Sequence, residues 1–429
     1  MEHQVILSAE EQDILEGKQG ETLAKVMKTL VLYADVFEAE KLVPVSSRYG
    51  HLVTSFGISV MEAVRELMDK LIRDGAISKQ AFTADPRPMD FEHVPANLLQ
   101  KLVFKVMYGK QAVYEEQLRG MGLLNDDSFT CTCYMDEVGN TPKMGDVLSW
   151  AESSAVSYAN SVLGARCNRN SGLIEMFGSI LGRVPYFGLL TDEGRKADWL
   201  VEVRTSSLPE AQLLGSAIGM KVMEDVPYIA GLECLLGTEL GQSQRDYLKD
   251  FGAAAASNGS VGLYHVEGLT PEAKELGRSL LREGAKTFIV DEALLAETKR
   301  SYPLIWQNPQ AKAKLCFIGC PHLSQAQLES WSGKLLSGLQ ANGLRKTAVP
   351  VVMTAAAPVL KAFRANGKEA ELKKHGIRLS FICPLMYMNN PLCAKVPVIT
   401  NSNKLRTYTT ARYYQDEELL SLLTGGKNA

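Results

Sequence analysis

The chain has 429 residues, of which 46% are hydrophobic and 22% charged, and a formal net charge of −3. That length exceeds what one compact core serves and predicts several domains. The slight negative charge excludes a nucleic-acid binder that works by bulk electrostatics.

The opening MEHQVILSAEEQ lacks the charged start and apolar run of a secretory signal, and no stretch has the ~18 uninterrupted apolar residues that cross a bilayer. A cytoplasmic protein is expected, with no membrane partner. Its eight cysteines are then expected as reduced thiols or metal ligands.

In chain order, Ser8 with Glu10 and Glu11 reads as a helix cap. Residues 21–37 carry apolar residues at helical spacing. A short strand at 41–45 leads into the polar turn Ser46-Ser47-Arg48-Tyr49-Gly50-His51. A helix over 59–74 stops at Gly75, a proline-broken loop covers 81–90, and a helix over 96–120 has Gly109 as its weak point. From residue 197 the pattern alternates. Strands are predicted at 199–203, 226–229, 261–266 and 286–290, with helices at 209–222, 242–256 and 270–283 between them. Further strands are predicted at 314–318, 349–353, 378–382 and 396–399, with helices at 324–342, 358–366 and from 403. Short strands bounded by helices predict an α/β fold with doubly wound, mostly parallel sheets in several domains. The approximate regions are 1–125, an N-terminal α/β region; 126–290, a central region; and 291–429, a C-terminal α/β region.

The densest chemistry lies in residues 129–172, FTCTCYMDEVGNTPKMGDVLSWAESSAVSYANSVLGARCNRNSG. Cys131 and Cys133 suit a soft metal. Arg166 and Arg169 match a carboxylate, because a guanidinium pairs with it bidentately. Glu152, Ser153 and Ser154 offer proton-transfer and hydroxyl-binding groups. The glycine-rich segment 171–188 allows backbone to approach a ligand closely.

Ligands in open α/β sheets sit beyond the carboxyl ends of strands. Three such ends carry Gly319-Cys320-Pro321-His322, Cys383-Pro384 and Thr400-Asn401-Ser402. No paired CxxC motif exists, so a zinc ribbon is not expected. Cys131, Cys320 and Cys383, far apart in sequence, instead point to a cluster at a domain junction, with one metal position left open to act as a Lewis acid. That arrangement suits dehydration of a hydroxy acid.

The motifs TCT (130–132), WAESSAV (150–156), YANSVLGARCNR (158–169), GLTPEA (268–273), GCPH (319–322), CP (383–384) and TNS with Lys404 run through the chain. In this order they resemble the large, catalytic subunit of the aconitase X family. The resemblance implies an aconitase-like fold gathered round an iron–sulfur cluster of unspecified nuclearity. Cys131, Cys320 and Cys383 carry over as its ligands. Glu152 and Ser153 carry over as candidate catalytic residues. Asn160, Ser161, Arg166, Asn168 and Arg169 are implied as the substrate-binding segment, with Ser47, His51, Thr400, Asn401, Ser402 and Lys404 as further contacts.

The resemblance also implies a separate small swivelling-domain subunit, hence a heterodimer, and places the catalytic base in either chain. Cys133 stands where the family usually has proline, and Cys167 where it usually has threonine. The implied activity is a hydro-lyase acting on a small hydroxy acid: cis-3-hydroxy-L-proline, with mevalonate 5-phosphate as the alternative. A non-catalytic iron–sulfur regulatory protein is the reading from a different class. It lacks the basic stripe that RNA binding requires.

Overall fold

The structure, a computed structural model, describes residues 4–52 and 58–425. Two parallel sheets organise it. The first has four strands in the spatial order His265–Val266, Pro227–Ala230, Ala197–Val203, Leu281–Val290. The second has five, in the order Ile377–Ser380, Val351–Ala355, Leu315–Leu323, Val398–Thr400, Arg412–Tyr413. In each, the first strand in sequence is central and the chain reverses its direction of travel beside it. This is the doubly wound arrangement, and the reversal point is where ligands bind. Two small pairs complete the strands: Leu42–Pro44 antiparallel to Arg183–Pro185, and Gly50–Leu52 parallel to Phe82–Ala84.

Each region has its own apolar core. Val26, Leu30, Met68, Leu71, Leu118 and Ile180 pack in the N-terminal third. Trp150, Val156, Val201, Leu214, Phe251 and Tyr264 pack round the four-stranded sheet. Ile318, Leu335, Met353, Leu360 and Leu379 pack on the five-stranded one. Leu315–Leu323 is buried along its whole length, as a central parallel strand covered on both faces must be.

The helices Ala211–Val222 and Gln242–Gly259 pack through small residues. A Cβ added at Gly215 would lie 2.2 Å from Phe251 O, and one at Gly259 only 1.8 Å from Gly219 O. This close approach fixes the helix whose first turn carries Gln212, a residue of the candidate site. Gly259→Ala must push the pair apart, so unfolding in urea is expected to show a loss of ~1–3 kcal/mol, the usual cost of overpacking.

Four local expectations differ from the structure. The helix expected over 96–120 is two, Leu98–Met107 and Gln111–Met121, with Gly109 in the break between them. Segment 171–188 is not a ligand-facing loop: Gly172–Leu181 is a helix capped by the Ser171 side chain, and Gly178 is small because Ser149 and Arg183 crowd it. The helix from Thr270 ends at Leu276, and the chain is already a strand from Leu281. The strand expected to stop at residue 318 continues through Cys320 to Leu323, so GCPH lies within the sheet's central strand rather than after it.

Candidate functional site

Three chain segments bring the cysteines together. Cys131 follows the bridge that joins Phe129 to Ala84. Cys320 lies in the central strand, and Cys383 caps the helix Pro384–Met388. All three thiols are free. Burial raises the pKa of each, to about 12 for Cys383. Cys320 adds to the cost of ionising Cys131 and Cys383, while the Lys404 ammonium lowers it for all three.

His322 is the strut between these segments. Its ring is 1% exposed. Nε2–H donates to Ile382 O at 3.0 Å, which leaves Nδ1 to accept from the Thr130 hydroxyl at 3.0 Å. Its backbone N–H donates to Cys131 Sγ at 3.4 Å. One histidine, two residues from Cys320, thus holds the neighbours of Cys131 and Cys383. Burial lowers its pKa to about 4, so it stands as a neutral imidazole. In the sequence His322 is visible only as the last residue of GCPH, with nothing to mark this bridging role.

The Cys320 carbonyl accepts from Ser402 Oγ and, at 3.2 Å, from Gln212 Nε2. Gln212 in turn accepts from Asn403 N at 2.8 Å and from Asn403 Nδ2 at 2.9 Å. These bonds tie the helix Ala211–Val222 to the reversal point of the five-stranded sheet. Next in the chain, Lys404 extends its ammonium to Glu152, at the N-cap of the helix Ser153–Val162. The two side chains are 6% and 13% exposed. Ser154 joins them: its hydroxyl donates to Glu152 at 2.7 Å and accepts from Lys404 at 3.2 Å. Burial opposes charge on Glu152, but Lys404 and Ser154 outweigh it and hold the carboxyl down, at about 2. Lys404 is raised: burial works against it, and Glu152, Cys320 and Cys131 overcome that. Asp85, raised by burial and by Glu152, faces the same group.

The other expected site residues take different places. Ser154, not Ser153, carries the hydroxyl that bonds Glu152. Asn160 is fully buried and cross-links the backbone of Cys167 and Gly262. Ser161 accepts from Tyr264 N, and Asn168 pins Phe187 and Leu189. Arg166 donates to Leu190 O and pairs with Asp192 at 2.5 Å. Arg169 adopts a positive φ of 56° and is half-buried. Thr400 accepts from Ser402 N, and Asn401 donates to Asp416. Ser47 is buried and donates to Tyr49 O, and His51 is fully buried behind Asp85. Cys167 is a core thiol against Trp150 O, and Cys133 is buried against His51. A cleft of about 790 Å3 reaches Cys320 and Pro321 from the side of Gln212 and Asp246; Lys404, Glu152, Cys131 and Cys383 do not line it.

The donor set can be tested against a cofactor. Among the described residues, no three His, Cys, Asp or Glu side chains form a site for a single metal ion. Three free thiols that share one electrostatic neighbourhood fit the ligand chemistry of an iron–sulfur group, which is held by cysteine thiolates.

The sequence profile of the aconitase X first domain matches residues 4–193, and that of its second domain residues 197–300. The chain belongs to the aconitase X family. It is 32% identical to the phosphomevalonate dehydratase large subunit of Thermococcus kodakarensis over 75% of both chains. It is 34% identical to the protein of that name from Methanothermobacter thermautotrophicus, over 75% of this chain and 74% of the other. It is 28% identical to the cis-3-hydroxy-L-proline dehydratase of Pseudomonas aeruginosa, over 94% of this chain but 66% of that longer protein. The crystal structure of Thermococcus kodakaraensis aconitase X in its holo form superimposes with a TM-score of 0.79 at 28% identity, covering 98% of this chain and all of the other. The aconitase-like α/β fold expected from the motifs is therefore present. These relatives are hydro-lyases, and this member of the aconitase X family is a dehydratase. Among its described residues no helix is long and apolar enough to cross a membrane.

Proposed function

We propose that this chain is the large subunit of an iron–sulfur hydro-lyase that dehydrates a small hydroxy acid, with cis-3-hydroxy-L-proline as the first-choice substrate. Cys131, Cys320 and Cys383 would hold the cluster. When bound, such a group with an open iron supplies a Lewis acid for a departing hydroxyl. The chain's own residues do the remaining work. His322 fixes the three cysteine segments, Ser402 and Gln212 hold the Cys320 backbone, and Lys404 presents a fixed positive charge for a substrate carboxylate.

The observation that carries the substrate is the charge balance. Lys404 eases ionisation of all three thiols and is already paired with Glu152, while Asp85 adds a second carboxyl group. Such a site suits a zwitterion, whose ring ammonium meets carboxylates, better than a phosphate that asks for several cations. The identity of up to 34% with phosphomevalonate dehydratase large subunits favours mevalonate 5-phosphate as the second reading.

Relatives named as large subunits support a separate small subunit that completes the enzyme. A thiol-held cluster is at home in the reducing cytoplasm.

The test is to co-express the chain with its small subunit, purify the complex without oxygen and offer both hydroxy acids, following loss of water by mass spectrometry. Turnover of hydroxyproline alone is expected. Turnover of mevalonate 5-phosphate alone overturns the charge argument, and absence of iron and sulfide after reconstitution overturns the cluster.

A further inference from the structure

The short parallel pair Gly50–Leu52 and Phe82–Ala84 sets His51 opposite Thr83. Side chains two residues apart on a strand share a face. Asp85, anchored by its N–H to Leu52 O at 3.1 Å, therefore emerges beside His51. The gap between His51 Nε2 and Asp85 Oδ1 is 3.5 Å, and both atoms are buried without a hydrogen-bond partner. The imidazole is fully buried, whereas the Asp85 side chain is 13% exposed and feels Glu152 and Lys404 across the site.

The far side of the ring is held by Thr83. Asn140 Nδ2 donates to Thr83 Oγ1 at 2.9 Å, and the Thr83 hydroxyl donates to Gly50 O at 3.3 Å. Thr83 Oγ1 also lies 2.9 Å from His51 Nδ1, so that nitrogen is hydrogen-bonded in either tautomer. Were Nε2 and Asp85 both without a proton, a lone pair would face a carboxylate oxygen. Two buried acceptors cannot face each other in this way, because each would lose its solvation without gaining a bond. One proton belongs between them, on either atom.

We propose that His51 and Asp85 form a proton-sharing dyad and that Asp85 is the general acid for the departing hydroxyl. The proposal rests on the hydro-lyase reading but not on the choice of substrate. In the step, the C–O bond breaks with its electron pair on oxygen, that oxygen takes a proton from Asp85, and water leaves. The electron pair of the neighbouring C–H bond becomes the double bond, and its proton goes to a basic side chain outside the dyad. Asp85 carries a second proton on its outward oxygen and gives up that one, while the proton shared with His51 Nε2 stays between the two side chains and holds the carboxylate that remains. A solvent proton restores the pair. His51 is a positioning residue, since it never touches substrate. The groups facing the dyad are Glu152, Lys404 and Cys383 toward Asp85, and Cys133 toward His51. Burial opposes charge on the ring, but Cys133 and Asp85 raise its pKa to about 10.

The test uses the anoxic complex with its small subunit and whichever hydroxy acid the wild type dehydrates. Asp85→Asn is expected to lower kcat by at least about 100-fold, as loss of a general acid does, at unchanged iron and sulfide content. An analogue with fluorine in place of the departing hydroxyl needs no proton to leave, so on it the variant should lose less than about 10-fold. Equal losses on both substrates, or no loss on the hydroxy acid, overturn the proposal. A second readout does not depend on turnover. In 15N-histidine spectra of the same complex, the His51 ring should give up its second proton at lower pH in Asp85→Asn than in wild type. An unchanged titration shows that the two side chains share no proton.

Discussion

Cys320→Ser is expected to strip iron and sulfide from the anoxically purified complex and to reduce dehydration by more than about 100-fold. That exceeds the 10–100-fold that outer partners of a metal site are worth. Serine keeps the shape of the side chain and loses the soft donor. Its hydroxyl would have to ionise in a site where burial already raises the neighbouring thiols. Cys320 is also the best placed of the three to be structurally harmless when changed. Its backbone is held by Ser402 and Gln212 and the strand around it is buried, so the sheet remains when the sulfur is removed. The exposed Cys234 provides the control: Cys234→Ser should keep full cluster content and rate. Iron and sulfide analysis, together with the visible absorption of the cluster, gives the result. A Cys320→Ser complex with normal iron and normal turnover would remove Cys320 from the ligand set.

That Cys320 and Cys383 come near each other was legible in part, since each stands beside proline, but Cys320 lies within its strand rather than at the strand end the sequence suggested. The alternation of short strands and helices was legible because buried parallel strands read as short apolar runs. What was not legible depends on register. Nothing in the spacing of residues 51, 83 and 85 says that two three-residue strands pair, and without that pairing His51 reads as a solvent-side substrate contact. Ser153 and Ser154 are indistinguishable until the N-cap of their helix is known; the cap turns Ser154 toward Glu152. Asn160 and Asn168 are implied as substrate ligands only by the family resemblance. The structure uses them to hold loop backbone, a role that leaves no periodic signal. The strand Leu281–Val290 was misread at its start because LREG continues a helical pattern. Gly284, at a φ of 76°, marks an irregular strand that no periodicity predicts.

Lys404→Met should have the larger effect on the fold itself. The substitution keeps the length of the side chain and removes the charge, leaving the Glu152 carboxylate buried with only Ser154 for company. Breaking a buried pair from one side typically costs ~3–5 kcal/mol, because the remaining charge has lost its compensation. The cost depends on pH, and its sign follows from the two shifts. Glu152 is held below its ordinary 4.5 in the folded chain, so its contribution is complete above pH 4.5 and is lost as the pH falls toward about 2. Lys404 is raised above its ordinary 10.5, so its contribution is complete below pH 10.5 and fades only above it. Between those limits the wild type should exceed the variant by the full amount, and below pH 4.5 the two should converge. Urea unfolding of both proteins at neutral pH and again in acid reads the difference directly. A gap that does not narrow in acid would mean that packing of the lysine stem, rather than the ion pair, carries the stability. A double variant with Glu152→Gln separates the two, since it removes the orphaned carboxylate and should recover most of the loss if the pair is responsible. It should not recover activity. Lys404 is also the group that eases ionisation of Cys131, Cys320 and Cys383, and a stable fold without that ammonium still faces three thiols that resist giving up their protons.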